Sequence, residues 1–460
     1  MIGSTHILKL LSCYTENNFL GLFLCYRGSD FILIKKAKLD NDGFVRVLFT
    51  CIILSLFPII LKSRWVSSLT TGMGYQVLVG ALFLIQSAYV VYFFLTSGKR
   101  KIDARTLLFA FIFIVPPMIT VIIASLTGEI NYLDVVYILA RFISVITFLC
   151  IPSRLHITQE GFLKFMRFLA ILGLVAGLYN LIVNYRGILN ILNISNPYVA
   201  NFTSFYLNRN SFAQLLLFSI IANSFLWMQK QTKFGFFCYS IYIINLFSTL
   251  SRTVLACLLI FTIVLFLTYF RKRAKSSIII FITIIGLFLF LNFYPKLNDF
   301  ITDMVIRSEY GTSGRTDLWT VAIDTLNKTN WLFGIGYISS IDIIRSIGYT
   351  LNEFHSFYIE TLIGGGITDL MLHIIILTFA LKRILIIFKH DKKTGAIYFS
   401  AFVAFMSYAL VESASFFSMG YVGTLFTIFI ITLPYLYSNN FTLGTVQKNI
   451  NEIDKDKEEL

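Results

Sequence analysis

The stretch that decides the fold is TLLFAFIFIVPPMITVIIASLT (106–127), which follows GKRKIDAR (98–105) and runs into TGEIN (127–131). Residues 106–127 contain no charged side chain, and about 20 apolar residues are enough for a helix to cross a hydrocarbon core. Backbone N–H and C=O groups cannot stay unpaired in lipid, so a segment of this kind must be helical. The stretch therefore predicts a transmembrane helix between a basic connector and a non-basic one.

The rest of the chain repeats this pattern. Of its 460 residues, 57% are hydrophobic and only 13% are charged, which is about half the charge of a typical soluble domain. Apolar runs of roughly 17–23 residues recur, so we predict an all-α, polytopic membrane protein with about twelve transmembrane helices. The predicted spans are 44–61, 75–95, 106–127, 132–151, 162–184, 211–228, 234–250, 254–270, 277–293, 367–388, 396–411 and 417–437.

The placement of charge predicts the orientation. A net charge of +14 would suit a nucleic-acid partner, but the basic residues stand in short connectors, where they mark the cytoplasmic side. The connectors predicted inside are GKRKIDAR, PSRLHITQEGFLKFMR, QKQTKFG, RKRAKSS and KHDKKTG. Among the alternate connectors, only Lys62 and Arg64 in the first one clearly disagree. We therefore predict that both termini are cytoplasmic, and we exclude a nucleic-acid partner.

These spans divide the chain into five parts. They are a cytoplasmic N-terminal segment (1–43), nine spans (44–293), a large extracytoplasmic connector (294–366), three spans (367–437) and a cytoplasmic tail (438–460). The apolar spacing of Leu318, Ala322 and Leu326 predicts a short surface helix over 316–326 in the large connector. Connectors of this length in a compact fold are usually functional, so we expect the chemistry there.

Three of the arginines on the predicted outer side stand in short polar motifs: Arg209 in LNRN (207–210), Arg252 in SRT (251–253) and Arg315 in SGR (313–315). Arginine is disfavoured outside and costly near the membrane core, so these side chains are expected to meet an anion. A planar guanidinium pairs bidentately with phosphate, which indicates a lipid phosphate or pyrophosphate. The alternative is that they extend to the lipid headgroups or, for Arg315, support a helix start.

A histidine and two glutamates accompany them. His355 is the histidine of the large connector, Glu360 follows it, and Glu412 stands at the outer end of a later span. Imidazole titrates near neutral pH, so it can accept a proton from an attacking hydroxyl. The alternative is a hydrogen-bonded interfacial histidine without a chemical role.

A charged pair inside a predicted span has a different meaning. Arg141 lies two turns from Asp134 on roughly the same helix face. This spacing predicts an intramembrane ion pair that holds helices together.

Residues 313–366 resemble the signature region of the O-antigen ligase and polymerase family, the Wzy/WaaL group of bacterial membrane glycosyltransferases. The matching elements are Gly314-Arg315 with Trp319, the turn LFGIGY (332–337), and His355 with Tyr358, Glu360 and Gly366. SR (251–252) and NSFA (210–213) resemble two further family elements, and the resemblance is close over 208–437. Two positions depart from the pattern. Ser356 replaces the usual asparagine, and Thr368-Asp369 replace a second glycine.

The resemblance implies a helical body of the GT-C type in the bacterial cytoplasmic (inner) membrane, with an extracytoplasmic active site. It implies a glycan donor carried on undecaprenyl pyrophosphate. The expected catalytic residues are His355, Arg315 and Arg252, of which the arginines would hold the pyrophosphate and the histidine would accept the acceptor's proton. The expected substrate-binding residues are Arg209, Asn210, Tyr337, Glu360 and Glu412. The outer connectors hold no Asp-x-Asp pair and the chain has no C-x-x-C, so neither metal nor cofactor is predicted.

Several functions stay open at this point. We favour a polymerase that joins lipid-linked repeat units into O-antigen, capsular or exopolysaccharide, while a ligase would transfer the glycan to a lipid core or a protein. A lipid-linked oligosaccharide flippase is the rival from another class, but it needs polar residues through a central cavity and often two similar halves. A purely structural scaffold protein would not explain why arginines stand on the predicted outer side. Partners are the lipid-linked oligosaccharide and the bilayer, and the resemblance leaves a chain-length regulator and a flippase open.

Overall fold

The computed structural model describes residues 43, 45–46, 48–50, 73–96, 104–127, 131–191, 202–206, 208–270, 314–348, 353–414, 416–417 and 421–441. Within these ranges the chain is helical and contains no β-strand, so the all-α prediction is confirmed. The predicted span 277–293, most of the span 44–61, almost all of the N-terminal segment and nearly all of the C-terminal tail lie outside the described residues.

The helices follow one another in the order expected of a multi-pass bundle. They are α1 (Met73–Thr96), α2 (Ala104–Ile112), α3 (Val115–Thr127), α4 (Tyr132–Val145), α5 (Gln159–Leu189), α6 (Arg209–Gln229), α7 (Lys233–Ser248), α8 (Arg252–Leu265), α9 (Arg315–Lys328), α10 (Tyr337–Ser346), α11 (Phe357–His390), α12 (Lys392–Val411) and α13 (Tyr421–Thr427). Helix α9 confirms the surface helix predicted over 316–326.

Seven segments of the described chain are long and apolar enough to cross a membrane. They are Thr106–Leu126, Tyr132–Arg154, Gln159–Leu189, Arg209–Gln229, Arg252–Tyr269, Phe357–His390 and Lys392–Val411. The polytopic prediction is therefore confirmed, whereas the count of twelve is not established.

Some predicted spans differ in detail from the helices. The span 106–127 is interrupted between α2 and α3, at 113–114, because Pro116 and Pro117 lack the N–H groups that would bond back to the preceding turn. Helix α5 continues beyond 184, with non-helical dihedrals at Asn184. The last helix begins at Tyr421 rather than at 417, since Phe417 has a left-handed φ of 58°.

Helices α5, α6 and α7 pack closely because α5 carries glycines on the contact face. A Cβ at Gly173 would lie 2.1 Å from Oγ of Ser219, and one at Gly177 would lie 2.8 Å from Cγ2 of Ile241. Small residues four apart let helix backbones approach each other in membranes. A buried hydrogen bond of 2.8 Å from Nδ2 of Asn180 to Oδ1 of Asn245 also joins α5 to α7. These contacts fix the part of the bundle from which α6 and α8 begin.

The bundle has two chemically different ends. At the first, the start of α8 meets the end of α12, where Thr253 donates to Glu412. At the opposite end, Nζ of Lys393 lies 3.4 Å from the carbonyl of Met228, and the Tyr437 hydroxyl donates to Asp391. The short connectors that the sequence assigns to the cytoplasm, around residues 152–158, 230–232 and 391, therefore share one end.

Helix α11 is broken at Gly366, which has a φ of 73°. The predicted connector 294–366 thus ends earlier than expected, since the helix already begins at Phe357. The backbone groups freed at the break bond to the loop 331–336: Ile335 and Gly336 donate to the carbonyls of Ile363 and Gly364, both over 2.9 Å. In return, Ile367 donates to the Trp331 carbonyl over 2.9 Å. The break therefore separates a short helix, 357–365, from the rest of α11, 367–390.

Candidate active site

The backbone on either side of His355 is held in a specific turn. His355 has a φ of 52°, a left-handed value that is uncommon outside glycine. Immediately before it, the carbonyl of Phe354 accepts from Nε1 of Trp319 over 2.9 Å, and the Phe354 N–H donates to Glu360 over 3.1 Å. Immediately after it, Ser356 is the N-cap of α11 and its hydroxyl faces the N–H of Ile359, a role that serine fills well.

Glu412 is the common neighbour of Arg315 and His355, two of the three predicted catalytic residues. It follows the last residue of α12 and is only 6% exposed. Its Oε1 accepts from Nη2 of Arg315 over 2.7 Å and from the Thr253 hydroxyl over 3.1 Å. Its Oε2 lies 3.5 Å from Nδ1 of His355. One buried carboxylate therefore joins the starts of α8 and α9 to the histidine that precedes α11.

The imidazole lies between two carboxylates. Nδ1 of His355 is 3.4 Å from Oε1 of Glu353, about the same distance as from Glu412. Burial alone would lower the pKa of His355, but contact with Glu412 and the charges of Glu353 and Glu412 raise it overall. Burial would raise the pKa of Glu412, whereas His355 and Arg315 lower it overall. This arrangement favours a proton on Nδ1 and leaves Nε2 as the nitrogen for a substrate.

The three predicted anion-binding arginines share a structural position. Arg209, Arg252 and Arg315 are the first residues of α6, α8 and α9. A cation is unfavourable beside the positive end of a helix dipole, so stability alone does not explain them. Helix N-termini and guanidinium groups both attract anions, and the starts of α8 and α9 meet at Glu412. Arg209 with Asn210 lies at the start of α6, which approaches α12 through a bond between Gln214 and Tyr408.

Glu360 supports the histidine turn. Its Oε1 accepts from the Phe354 N–H and from the Ser413 hydroxyl. Ser413 directly follows Glu412 in the chain, so its bond to Glu360 connects the carboxylates of Glu360 and Glu412 through the backbone. Sequence reasoning missed Glu353, Thr253 and Ser413, although each stands within two residues of a predicted site residue, and that proximity was the available signal.

Tyr337, expected to bind substrate, lies in another cluster. Its side chain is 9% exposed, and its hydroxyl donates to Oδ2 of Asp369 over 2.6 Å. Arg141 forms the predicted intramembrane ion pair, but with Asp369, through Nη1 and Oδ2 at 2.8 Å. Asp134 instead accepts from the N–H of Ile338 over 2.7 Å. The spacing on α4 could not reveal this, because the partners come from distant helices.

The histidine cluster also has the composition of a metal site. Glu353, His355 and Glu412 each offer one ligand atom, and these atoms lie within 4.8 Å of one another. One imidazole nitrogen and two carboxylate oxygens can bind a divalent cation such as Zn²⁺. The Arg315 guanidinium already holds Oε1 of Glu412 and would oppose a cation there. The absence of a metal requirement stays a prediction.

An apolar groove of about 600 Å³ opens beside the helix break. Its walls come from the junction of α2 and α3, from the loop 331–336 and from the part of α11 that follows the break. The lining residues are Ile112, Val115, Pro116, Phe333, Ile367, Thr368, Met371 and Leu372. Several of them are exposed, with Met371 at 57%, so the groove is open at the protein surface.

A comparison with known families covers most of the candidate site. Residues 237–374 match the O-antigen ligase family, and this match supports membership in the O-antigen ligase and polymerase family. The matched region contains Arg252, Arg315, His355 and Glu360, while Arg209 and Glu412 lie outside it. No curated protein gives a significant match to the chain.

Proposed function

From the O-antigen ligase region at residues 237–374, we propose that this multi-pass membrane protein transfers a glycan from a lipid pyrophosphate to an acceptor sugar. The observation that carries the proposal is the Arg315–Glu412–His355 cluster at one end of the bundle. It combines a guanidinium for a phosphorylated leaving group with an imidazole whose Nδ1 faces carboxylates. His355 precedes α11 and Glu412 follows α12, two helices long and apolar enough to cross a membrane, and this supports a donor anchored in the membrane.

The reaction follows from these groups. The acceptor hydroxyl oxygen forms a bond to the anomeric carbon of the donor, and the bond from that carbon to the pyrophosphate oxygen breaks. The hydroxyl proton passes to Nε2 of His355. The electron pair leaves with the lipid pyrophosphate, whose growing charge Arg315 and Arg252 stabilise. Arg315 uses two of its five N–H donors on Glu412 and Val411, so it keeps donors for a phosphate.

A lipid-linked donor also suits the surroundings of the site. The apolar groove is lined by Ile367 and Thr368, which directly follow the break in α11, and Glu360 lies in the short helix that precedes the break. An isoprenoid tail in the groove would leave its pyrophosphate near the helix ends. We infer undecaprenyl pyrophosphate as the carrier and favour a polymerase over a ligase, as the resemblance of residues 208–437 suggests.

In vitro transfer with purified protein tests the function. A polymerase is expected to convert undecaprenyl-pyrophosphate-linked repeat units into a ladder of longer chains and to release undecaprenyl pyrophosphate. A ligase would consume the same donor only when a lipid-core or protein acceptor is added. A flippase would move the donor across a vesicle bilayer and form neither product. Transfer to neither acceptor would contradict the proposal, and a parallel reaction with EDTA tests the Glu353–His355–Glu412 group for a required metal.

We further propose that the cluster faces the extracytoplasmic side. The opposite end carries Arg154, Lys230, Lys392 and Lys393 in its connectors, which supports a cytoplasmic position for that end. Nucleotide sugars are absent outside the cell, and a lipid-linked donor needs none there.

Cysteine labelling in spheroplasts checks this orientation. In a background without native cysteines, a Ser346→Cys side chain on α10 is expected to react with a membrane-impermeant maleimide in intact spheroplasts. A Lys389→Cys side chain at the other end of α11 is the matched control and should react only after permeabilisation, since both positions are exposed on the protein. The reverse pattern would place the cluster in the cytosol and exclude a lipid-linked donor presented from outside.

A further inference from the structure

Two charged residues of α4 contact α10 or the part of α11 just after its break. None of the contacts given for them in the described part of the chain reaches the histidine cluster. Asp134 and Arg141 are 5% and 1% exposed, and both lie within the span Tyr132–Arg154. Buried charges in a membrane helix are costly and usually mark function.

Arg141 holds the part of α11 that directly follows the break. It donates to Asp369, which is 0% exposed, and also to the Tyr337 hydroxyl over 3.3 Å. Its guanidinium lies 4.0 Å from the ring centroid of Phe113. Asp369 is thus bonded by Arg141 and Tyr337 together, three residues after Gly366. A buried ion pair seldom adds stability over a well-packed apolar pair, so stability does not account for this one.

Asp134 holds the start of α10. Its carboxylate accepts from the N–H groups of Ile338 and Ser339 over 2.7 and 3.2 Å, and from the Ser339 hydroxyl over 2.6 Å. The approach is so close that a Cβ at Gly336 would lie 2.6 Å from Oδ2 of Asp134. An anion at a helix N-terminus is also favoured by the dipole. The hydrogen bonds to Asp134 therefore fix the start of α10 against α4.

The start of α10 in turn determines the break in α11. Gly336 donates to the Gly364 carbonyl, and a Cβ at Gly364 would lie 2.8 Å from the Tyr337 ring. Beyond the break, the short helix 357–365 carries Glu360, which bonds the backbone next to His355. A continuous set of contacts thus runs from α4 through α10 and the break to the imidazole.

We propose that Arg141, Asp134 and Asp369 are positioning residues for the transfer reaction: they hold the broken helix so that His355 faces Glu412. The proposal rests on the proposed function, and none of the three touches the reacting atoms. A displacement of about 1 Å in a catalytic group can reduce a rate by 10²-fold. The ion pair therefore acts on the rate of the chemical step, through geometry.

Kinetics of the full-length protein test the proposal. Arg141→Met is expected to lower kcat by about 10- to 100-fold while the donor KM changes little. In a His355→Ala background the same substitution should cause no further loss, because misplacing an absent imidazole has no effect. The exposed pair Asp342–Arg345 on α10 supplies the control, and Arg345→Ala should leave kcat unchanged. If Arg141→Met lowers the kcat of the His355→Ala protein by the same factor by which it lowers the wild-type kcat, the proposal is overturned.

Two further measurements keep the test decisive. If Arg141→Met leaves a buried charge that prevents folding, the double variant Arg141→Met/Asp369→Leu removes both charges and should fold with a similarly reduced kcat; a wild-type kcat would overturn the proposal. Spin labels at exposed Lys328 and Leu126 should give a broader or shifted distance distribution in the Arg141 variant than in the parent. An unchanged distribution would overturn the positioning role, and this readout is independent of whether the transfer activity exists.

Discussion

Replacing His355 by alanine is expected to lower kcat for glycan transfer by about 10²–10⁴-fold, the usual range for loss of a general base. The donor KM should change little, because the proposed phosphate contacts come from arginines. The wild-type rate should rise with pH as His355 loses its proton. Because the pKa of His355 is raised above its ordinary value of 6.5, the midpoint of this rise should lie above 6.5. Initial rates over a pH series measure both effects.

Two variants make the assignment specific. His390→Ala removes an exposed histidine at the opposite end of α11 and should retain the wild-type rate and pH profile. Glu412→Gln removes a carboxylate that raises the His355 pKa. The rise of the rate with pH, which is the acidic limb of the pH profile, should therefore move to lower pH while the rate itself falls. A His355→Ala protein that transfers at wild-type rate, or a Glu412→Gln limb that moves to higher pH, would contradict the role of the imidazole.

The fold was predictable where the signal is local. Hydrophobic length and connector charge depend only on neighbouring residues, and they predicted α6, α7 and α12 to within a few residues. Pro116 and Pro117 could have indicated the interruption at 113–114. However, many membrane helices tolerate proline when neighbouring groups bond the carbonyls that it leaves free. Here the Thr120 hydroxyl bonds both Pro116 and the distant Phe333 carbonyl, which no local pattern contains.

The sequence predicted which residues form the site better than it predicted which residues contact one another. His355, Arg315 and Glu412 were singled out because imidazole, guanidinium and carboxylate suit phosphate departure and proton transfer, and the structure brings these three together. The partner of Arg141 was not predictable, because same-face spacing on one helix says nothing about the helix packed against it. Asp369 was visible only as a departure from the family's glycine.

Replacing Arg315 by alanine is the second substitution with a large expected effect. The rate should fall by about 10²–10³-fold, as for removal of one donor to a developing oxyanion. Arg315→Lys should recover part of the rate, because an ammonium keeps the charge but not the planar pair of donors. The exposed Arg345 on α10 is the matched control, and its alanine variant should transfer at the wild-type rate.

Arg315 could act directly on the leaving group or indirectly through Glu412, and the donor chemistry separates the two. Nη2 of Arg315 bonds Glu412 over 2.7 Å, so its loss also disturbs the carboxylate beside His355. If Arg315 stabilises the departing pyrophosphate, the loss in Arg315→Ala should be large for a pyrophosphate-linked donor and small for a monophosphate-linked one. An equal loss with both donors, together with an acidic limb that moves as in Glu412→Gln, would show that the guanidinium serves only to hold Glu412. Full activity of Arg315→Ala would remove the phosphate-binding role altogether.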